Sequence, residues 1–213
     1  MTREITARYT SDSPQLEAGV DGEVWARAPE LAIDRNWRGD PAPKELQTSV
    51  RLLWTDDEIY LGFVCAFTEL DIDDEFDSGV ERYALWDRDV CEAFIRSPLE
   101  PAVTTYKEFE VAPTAQWCDL LIDRAHGVQD WEWKSGMRTA ARIDQEAGVW
   151  QAIMAIPFSA FGIKPAVGSI WQANLFRIGR VSGERNYLAF SATGTEQPSF
   201  HVPERFVDLR FAG

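Results

Sequence analysis

The chain has 213 residues, 45% of them hydrophobic and 12% aromatic, which is enough to bury a substantial core in one domain of generous size or two small ones. Its 35 acids against 21 bases give a formal net charge of −14, which speaks against nucleic acid and anionic membranes as partners, since both call for a basic surface. Neutral ligands such as sugars, and cations such as Ca²⁺, stay compatible with that charge. No apolar run approaches the roughly 20 residues that cross a bilayer, so no membrane partner is expected. Residues 1–8 lack the apolar segment of a secretory signal, which leaves two compartments open, cytoplasmic or secreted after removal of a leader.

In chain order the dominant period is two. Residues 5–9 alternate, and residues 50–54, an acidic turn at 56–58 and residues 59–65 read as strand, tight turn, strand. Residues 68–83 form a long irregular stretch carrying Asp71, Asp73, Asp74, Glu75, Asp77 and Glu81, and lead directly into Trp86. Strand patterns follow at 90–96, 106–111, 117–123, 137–143, 149–156, 171–178, 187–190 and 206–211. Residues 143–149 carry a hairpin signal, with Gly148 free to take positive φ. Helical patterning is confined to one short turn at 157–162, between Pro157 and Gly162. Residues 191–203 form a second long loop, rich in Gly, Ser, Thr and Pro. About ten short strands with at most one short helix predict an all-β protein, a single-domain antiparallel β-sandwich over residues 1–213. Cys65, Cys91 and Cys118 have no metal-like spacing and read as small buried hydrophobes in strands.

The stretch from Leu85 to Ile95 is the most informative. Trp86 stands three residues before Asp89, and Asp89 three before Glu92. From Val90 the segment is a strand with Val90, Glu92 and Phe94 on one side. An aromatic platform beside carboxylates is the chemistry of a sugar site, where the ring covers the C–H face of a pyranose and the acids accept from its hydroxyls. The alternative is a core Trp86 with both acids solvated. On the strand at 106–111, Tyr106, Glu108 and Glu110 share one face, while Lys107, Phe109 and Val111 form the natural core face. That leaves a polar face able to meet a ligand. Arg177 lies on an otherwise apolar strand face and predicts a buried ion pair. Trp131, Trp133, Trp150 and Trp171 read as core or hairpin-packing residues.

Other chemistries find little support. The acidic loop has the composition of a Ca²⁺ site but not the order of an EF-hand loop, and a solvated loop is its ordinary reading. The two histidines, His126 and His201, are distant in sequence and no cysteine is close to either, so neither zinc nor haem is expected. No Gly-x-Ser-x-Gly or phosphate-binding loop occurs. Glu92, Glu108 and Glu110 could supply the carboxylate pair, about 5–10 Å apart, of a glycoside hydrolase, although so acidic a chain makes such coincidences cheap.

Taken in order, several segments resemble the family 9 carbohydrate-binding modules. They are Asp21-Gly22-Glu23-x-Trp25, the strand pair from Val50 to Leu61, Trp86-x-x-Asp89-x-x-Glu92-x-Phe94-Ile95, Tyr106-x-Glu108-Phe109-x-Val111, Trp150-x-Ala152-x-Met154-x-Ile156-Pro157, Asn174-Leu175-Phe176-Arg177 and Phe200-His201-x-Pro203-Glu204-x-Phe206. The resemblance implies a DOMON-like sandwich that is not itself an enzyme. It would bind a xylo- or cello-oligosaccharide-like chain end between two aromatics, in a role linked to polysaccharide breakdown. Trp86 matches the first aromatic, Glu92 a hydroxyl-binding acid and Phe200 the second aromatic, where Phe replaces the family's Trp. Glu110 stands where the family places a sugar-binding arginine, which turns a donor into an acceptor. The expected ligand-binding set is therefore Trp86, Glu92, Glu108, Glu110 and Phe200, with no catalytic residue. A structural Ca²⁺ is compatible with the family, its ligands unassigned, and no other cofactor is implied. The alternatives are a glycoside hydrolase using a carboxylate pair, or an interaction module with an eroded sugar site.

Overall fold

A computed structural model describes residues 3–213. The strands in chain order are β1 (Ile5–Tyr9), β2 (Leu31–Ala32), β3 (Arg35–Asn36), β4 (Thr48–Trp54), β5 (Glu58–Ala66), β6 (Val90–Arg96) and β7 (Thr105–Val111). They continue as β8 (Trp117–Asp123), β9 (Val128–Asp130), β10 (Arg138–Asp144), β11 (Val149–Pro157), β12 (Ile170–Val181), β13 (Glu184–Ala189) and β14 (Val207–Ala212). They hydrogen-bond in the order β10-β11-β5-β4-β1-β14-β12-β6-β7-β8-β9, with β13 and β3 extending from β12 and β2 edging β4. The sheet curls until its two halves face each other as a sandwich. Phe63 and Trp150 from one half pack in a common core with Phe109 and Leu175 from the other. The sulfurs of Cys65 on β5 and Cys91 on β6, strands that are not sheet neighbours, stand 3.5 Å apart across that core. All three cysteines are buried free thiols.

The all-β expectation holds, with local differences. Strands β2, β3 and β9 have only two or three residues, too few for a period of two to stand out in a sequence. The expected short helix is a 3-10 turn at Phe158–Phe161, stopped by Gly162 at φ 68°, and other single 3-10 turns accompany it. Pairing is antiparallel except at β1, which lies parallel to both β4 and β14. Parallel neighbours need a long crossover, and the segment between β1 and β4 supplies one. The tight turn between β4 and β5 is held by Thr55 Oγ1, which accepts from the backbone of Asp57 and Glu58. The β10–β11 hairpin turns at Gly148, φ 63°, with Asp144 Oδ1 accepting from Ala147 N at 2.9 Å.

Arg177 corrects one expectation. It is fully buried, yet among the described residues it makes no ion pair. Its guanidinium instead donates to Leu46 O at 3.2 Å, Thr48 Oγ1 at 2.8 Å and Ala66 O at 2.7 Å, over the ring of Trp150. The turn at Lys44–Leu46 and the end of β5 point backbone carbonyls inward and the start of β4 adds the Thr48 hydroxyl, and these oxygens do the work of a carboxylate.

Gly62, in mid-β5, is present for space. A Cβ there would stand 2.9 Å from the indole of Trp25, which is itself buried among Leu53, Tyr60 and Ile153. Overpacking a site of this kind costs about 1–3 kcal/mol. Gly62→Ala is therefore expected to lower the unfolding free energy by that amount, seen as a lower urea midpoint at an unchanged m-value, and an unshifted midpoint would show that Trp25 has room to move.

Candidate functional site

The β6–β7 register sets Glu92 directly opposite Glu110 and Phe94 opposite Glu108. Strand alternation then collects Glu92, Phe94, Tyr106, Glu108 and Glu110 on one face, with Phe176 of β12 opposite Glu92 on the other side. As expected, Phe109 and Val111 face the main core, and Lys107 on that side pairs with Glu100. The polar face, however, is not open to solvent. A second apolar cluster that includes Phe94, Tyr106, Leu120, Phe176, Phe200 and Phe206 covers it, and Glu92, Glu108 and Glu110 are all buried.

Two loops make this roof. Residues 191–203 are tied down from outside β3. Trp37 donates through Nε1 to Thr195 O at 3.2 Å, its carbonyl accepts from Gly194 N at 2.7 Å, and Arg38 donates to Glu196 O at 3.0 Å. This lays Phe200 flat on Phe176, with ring centroids 4.2 Å apart and planes at 12°. One face of Phe200 is thereby committed to the protein. The second loop ends in the 3-10 turn Leu85–Asp87, entered through a left-handed Ala84 at φ 62°. Arg185 donates to the carbonyl of Trp86, and Asp89 N donates to Asp71 O at 2.9 Å.

Between the loops lies a cavity of about 280 Å³, lined by Trp86, Glu92, Glu108, Tyr187, Phe200 and His201, with Gln129 at its edge. It brings together four of the five residues expected from the sequence. Glu110 stands behind them, next to Glu92 and Glu108, and one carboxyl oxygen of each of the three lies within 4.8 Å of the others. Tyr187 and His201 escaped the sequence reading. His201 looked like an ordinary loop residue, although it adjoins Phe200. Its Nδ1 is 2.7 Å from the Tyr106 hydroxyl and 3.9 Å from Glu108 Oε2. At the rim, Tyr83 packs edge-on against Trp86 at 5.1 Å and tilted against Trp131 at 5.3 Å. Trp131 is 45% exposed, in contrast to the packing role expected of it, whereas Trp150 and Trp171 are core residues.

The electrostatics are those of acids without partners. Glu92 Oε1, Glu108 Oε2 and both oxygens of Glu110 have no hydrogen-bond partner among the described residues. Burial pushes the Glu108 carboxyl up to about 7, opposed by its contact with Glu110. Glu92 and Glu110 are raised well above the usual carboxylate range, by burial first and then by neighbouring carboxylates, with Arg185 opposing at Glu92. Asp89 is also raised to about 7 by burial, against the pull of Arg177. Burial, with Arg124 nearby, lowers His201 to about 4 and keeps it neutral.

The acidic loop at 68–83 has a different arrangement. Asp71 pairs with Arg88 and Arg180, and Asp73 with Arg82, while Gln116 Nε2 donates to Asp73 O at 3.0 Å. Among the described residues, the acids of this loop do not converge on one point.

A curled sandwich with an aromatic-and-acid cavity under two loops defines a ligand-binding β-module. The chain belongs to the carbohydrate family 9 binding domain-like family, which matches residues 17–177, about three quarters of its length. No curated protein matches it. Among solved structures it is similar to a candidate carbohydrate-binding protein from Bacteroides uniformis, at 20% identity and TM-score 0.76, covering 98% of this chain and 99% of that one. It is also similar to a family 9 carbohydrate-binding module from Caldicellulosiruptor kristjanssonii in complex with cellotriose, at 14% identity and TM-score 0.71, covering 99% and 94%. The complex of a family 9 module from the same organism with glucose gives 14% identity and TM-score 0.69, covering 99% and 96%.

Proposed function

We propose that this protein is a non-catalytic carbohydrate-binding module that takes the end of a glycan chain into the cavity under Trp86 and Phe200. The observation that carries the reading is the composition of that cavity. Trp86, Tyr187 and Phe200 offer apolar ring surface, while Glu92 and Glu108 present unpartnered acceptors to the same cavity. Sugar rings present the complementary pair, a C–H face and a fringe of hydroxyl donors. A chain longer than one ring would leave the cavity over Tyr83 and Trp131, the exposed aromatics beside Trp86.

Binding is favoured over hydrolysis by the placement of the acids. Glycosidases hold two carboxyls on opposite sides of the scissile bond, about 5–9.5 Å apart. Here the three carboxyls stand side by side on one sheet face, with one oxygen of each within 4.8 Å of the others, instead of facing each other across a bond.

Titration with xylo- and cello-oligosaccharides, followed by tryptophan fluorescence, tests the reading. Stacking contributes about 0.5–1.5 kcal/mol beyond the area it buries, so Trp86→Ala is expected to weaken binding about tenfold once lost area is added. Wild-type fluorescence indifferent to every sugar, or a Trp86→Ala variant that binds as well as wild type, would remove the basis of the proposal.

A further inference from the structure

The three carboxyls ask for more than a neutral sugar can give. Glu92 Oε1, Glu108 Oε2 and both oxygens of Glu110 are unpartnered acceptors on fully or almost fully buried side chains. Among the described residues no lysine or arginine pairs with any of the three, and the imidazole 3.9 Å from Glu108 is that of the neutral His201. Arg185, the nearest opposing charge for Glu92, is engaged with the carbonyl of Trp86. Each sugar hydroxyl donates once and brings no charge, so a neutral ring meets these carboxyls only in their protonated form, whereas an ammonium group donates three times and matches the ionised one.

We infer that the cavity is built for a sugar carrying a primary ammonium group, an amino sugar whose nitrogen is held by Glu92, Glu108 and Glu110 while its ring lies against Trp86. The inference rests on the carbohydrate-binding reading above and narrows the substrate class of the same site. Geometry supports it. Three acceptors, each about 2.8 Å from one ammonium nitrogen and set at its tetrahedral angles, stand about 4.6 Å from one another. One oxygen from each of the three carboxyls lies within 4.8 Å of the others, close enough for all three to reach one nitrogen. The rest of the lining completes the argument. Trp86, Ile178, Tyr187 and Phe200 give an organic cation aromatic and apolar surface.

The test compares glucosamine, N-acetylglucosamine and glucose, and their β-1,4-linked dimers, by calorimetry on the full chain near neutral pH. The amines are expected to bind at least about tenfold tighter than both the acetylated and the neutral sugars. That advantage should disappear in Glu110→Gln and Glu108→Gln, each first shown to unfold cooperatively. Equal binding of glucosamine and glucose, or of the acetylated sugar, overturns the inference and leaves the carbohydrate-binding reading intact. Silence toward every sugar sinks both. Competition by CaCl₂ alone against glucosamine, lost in Glu110→Gln, would make the cluster a metal site and likewise overturn the inference.

Discussion

The free protein is expected to gain stability as the pH falls from 8 to 6, the reverse of the usual behaviour of an acidic protein with paired carboxylates. A carboxyl whose folded pKa is raised favours the protonated form in the fold. Its contribution is full below the unfolded value and is lost as pH rises toward the folded value. Glu108 and Asp89, both pushed up to about 7 by burial, together add about 2 kcal/mol between pH 7 and pH 6. Each is already half protonated at pH 7 and approaches the full slope of roughly 1.4 kcal/mol per proton per pH unit only below it. Glu92 and Glu110, raised well above the usual range, extend the gain to the alkaline side. His201 sets the acid limit. Lowered to about 4 by burial, it withdraws stability as pH falls below its ordinary value of 6.5, because the unfolded chain then binds the proton first.

Thermal melts or urea titrations across this range check the sign. Stability that rises from pH 6 to pH 8 would mean that the carboxyl cluster is ionised and compensated in the free protein. Glu110→Gln should flatten the profile and raise stability at pH 8 by about 1–3 kcal/mol. The amide cannot ionise at any pH, and its N–H groups can donate to the oxygens of Glu92 and Glu108.

Arg177→Met is expected to be the most damaging single change outside the cavity. Two short hydrogen bonds from the guanidinium, at 2.8 Å to Thr48 Oγ1 and 2.7 Å to Ala66 O, each contribute about 1.5–3 kcal/mol because the donor is charged. Part of that is offset because a buried charge disappears with them, leaving a net loss of about 2–4 kcal/mol. The variant should also move Asp89 further up, since Arg177 is the main charge holding its carboxyl down. A neutral or stabilising Arg177→Met would show that the carbonyl cage stores strain rather than stability. Urea denaturation at pH 7, with m-values compared, decides between these outcomes.

Much of this protein is legible in its residues because strand alternation is a local property. The strands flanking the acidic turn at 56–58, the hairpin closed by Gly148 and the stop at Gly162 each depend on a few adjacent side chains. So do the shared faces of Glu92 with Phe94 and of Glu108 with Glu110. Those local patterns, in order along the chain, determined the all-β class and the resemblance to one family. The two-residue strands β2 and β3 escaped because their existence depends on partners far away, β4 and β13, and not on any period of their own. Arg177 was placed on the right face, but a sequence carries no record of where backbone carbonyls will point, so the cage that replaces an ion pair stayed hidden.

The site divides along the same line. The sequence by itself placed Glu92 with Phe94, and Glu108 with Glu110, on shared strand faces, and singled out Trp86 and Phe200 as the aromatics expected to work with them. Only the tertiary structure decided that the two loops close over the acids, that Phe200 has one face committed to Phe176, and that Tyr187 and His201 join the wall. The physical reason is that burial and charge are collective. Strand register places three carboxyls together, but the roof held by Trp37, Arg38 and Arg185 removes their water. That desolvation turns three ordinary acids into one strongly coupled group.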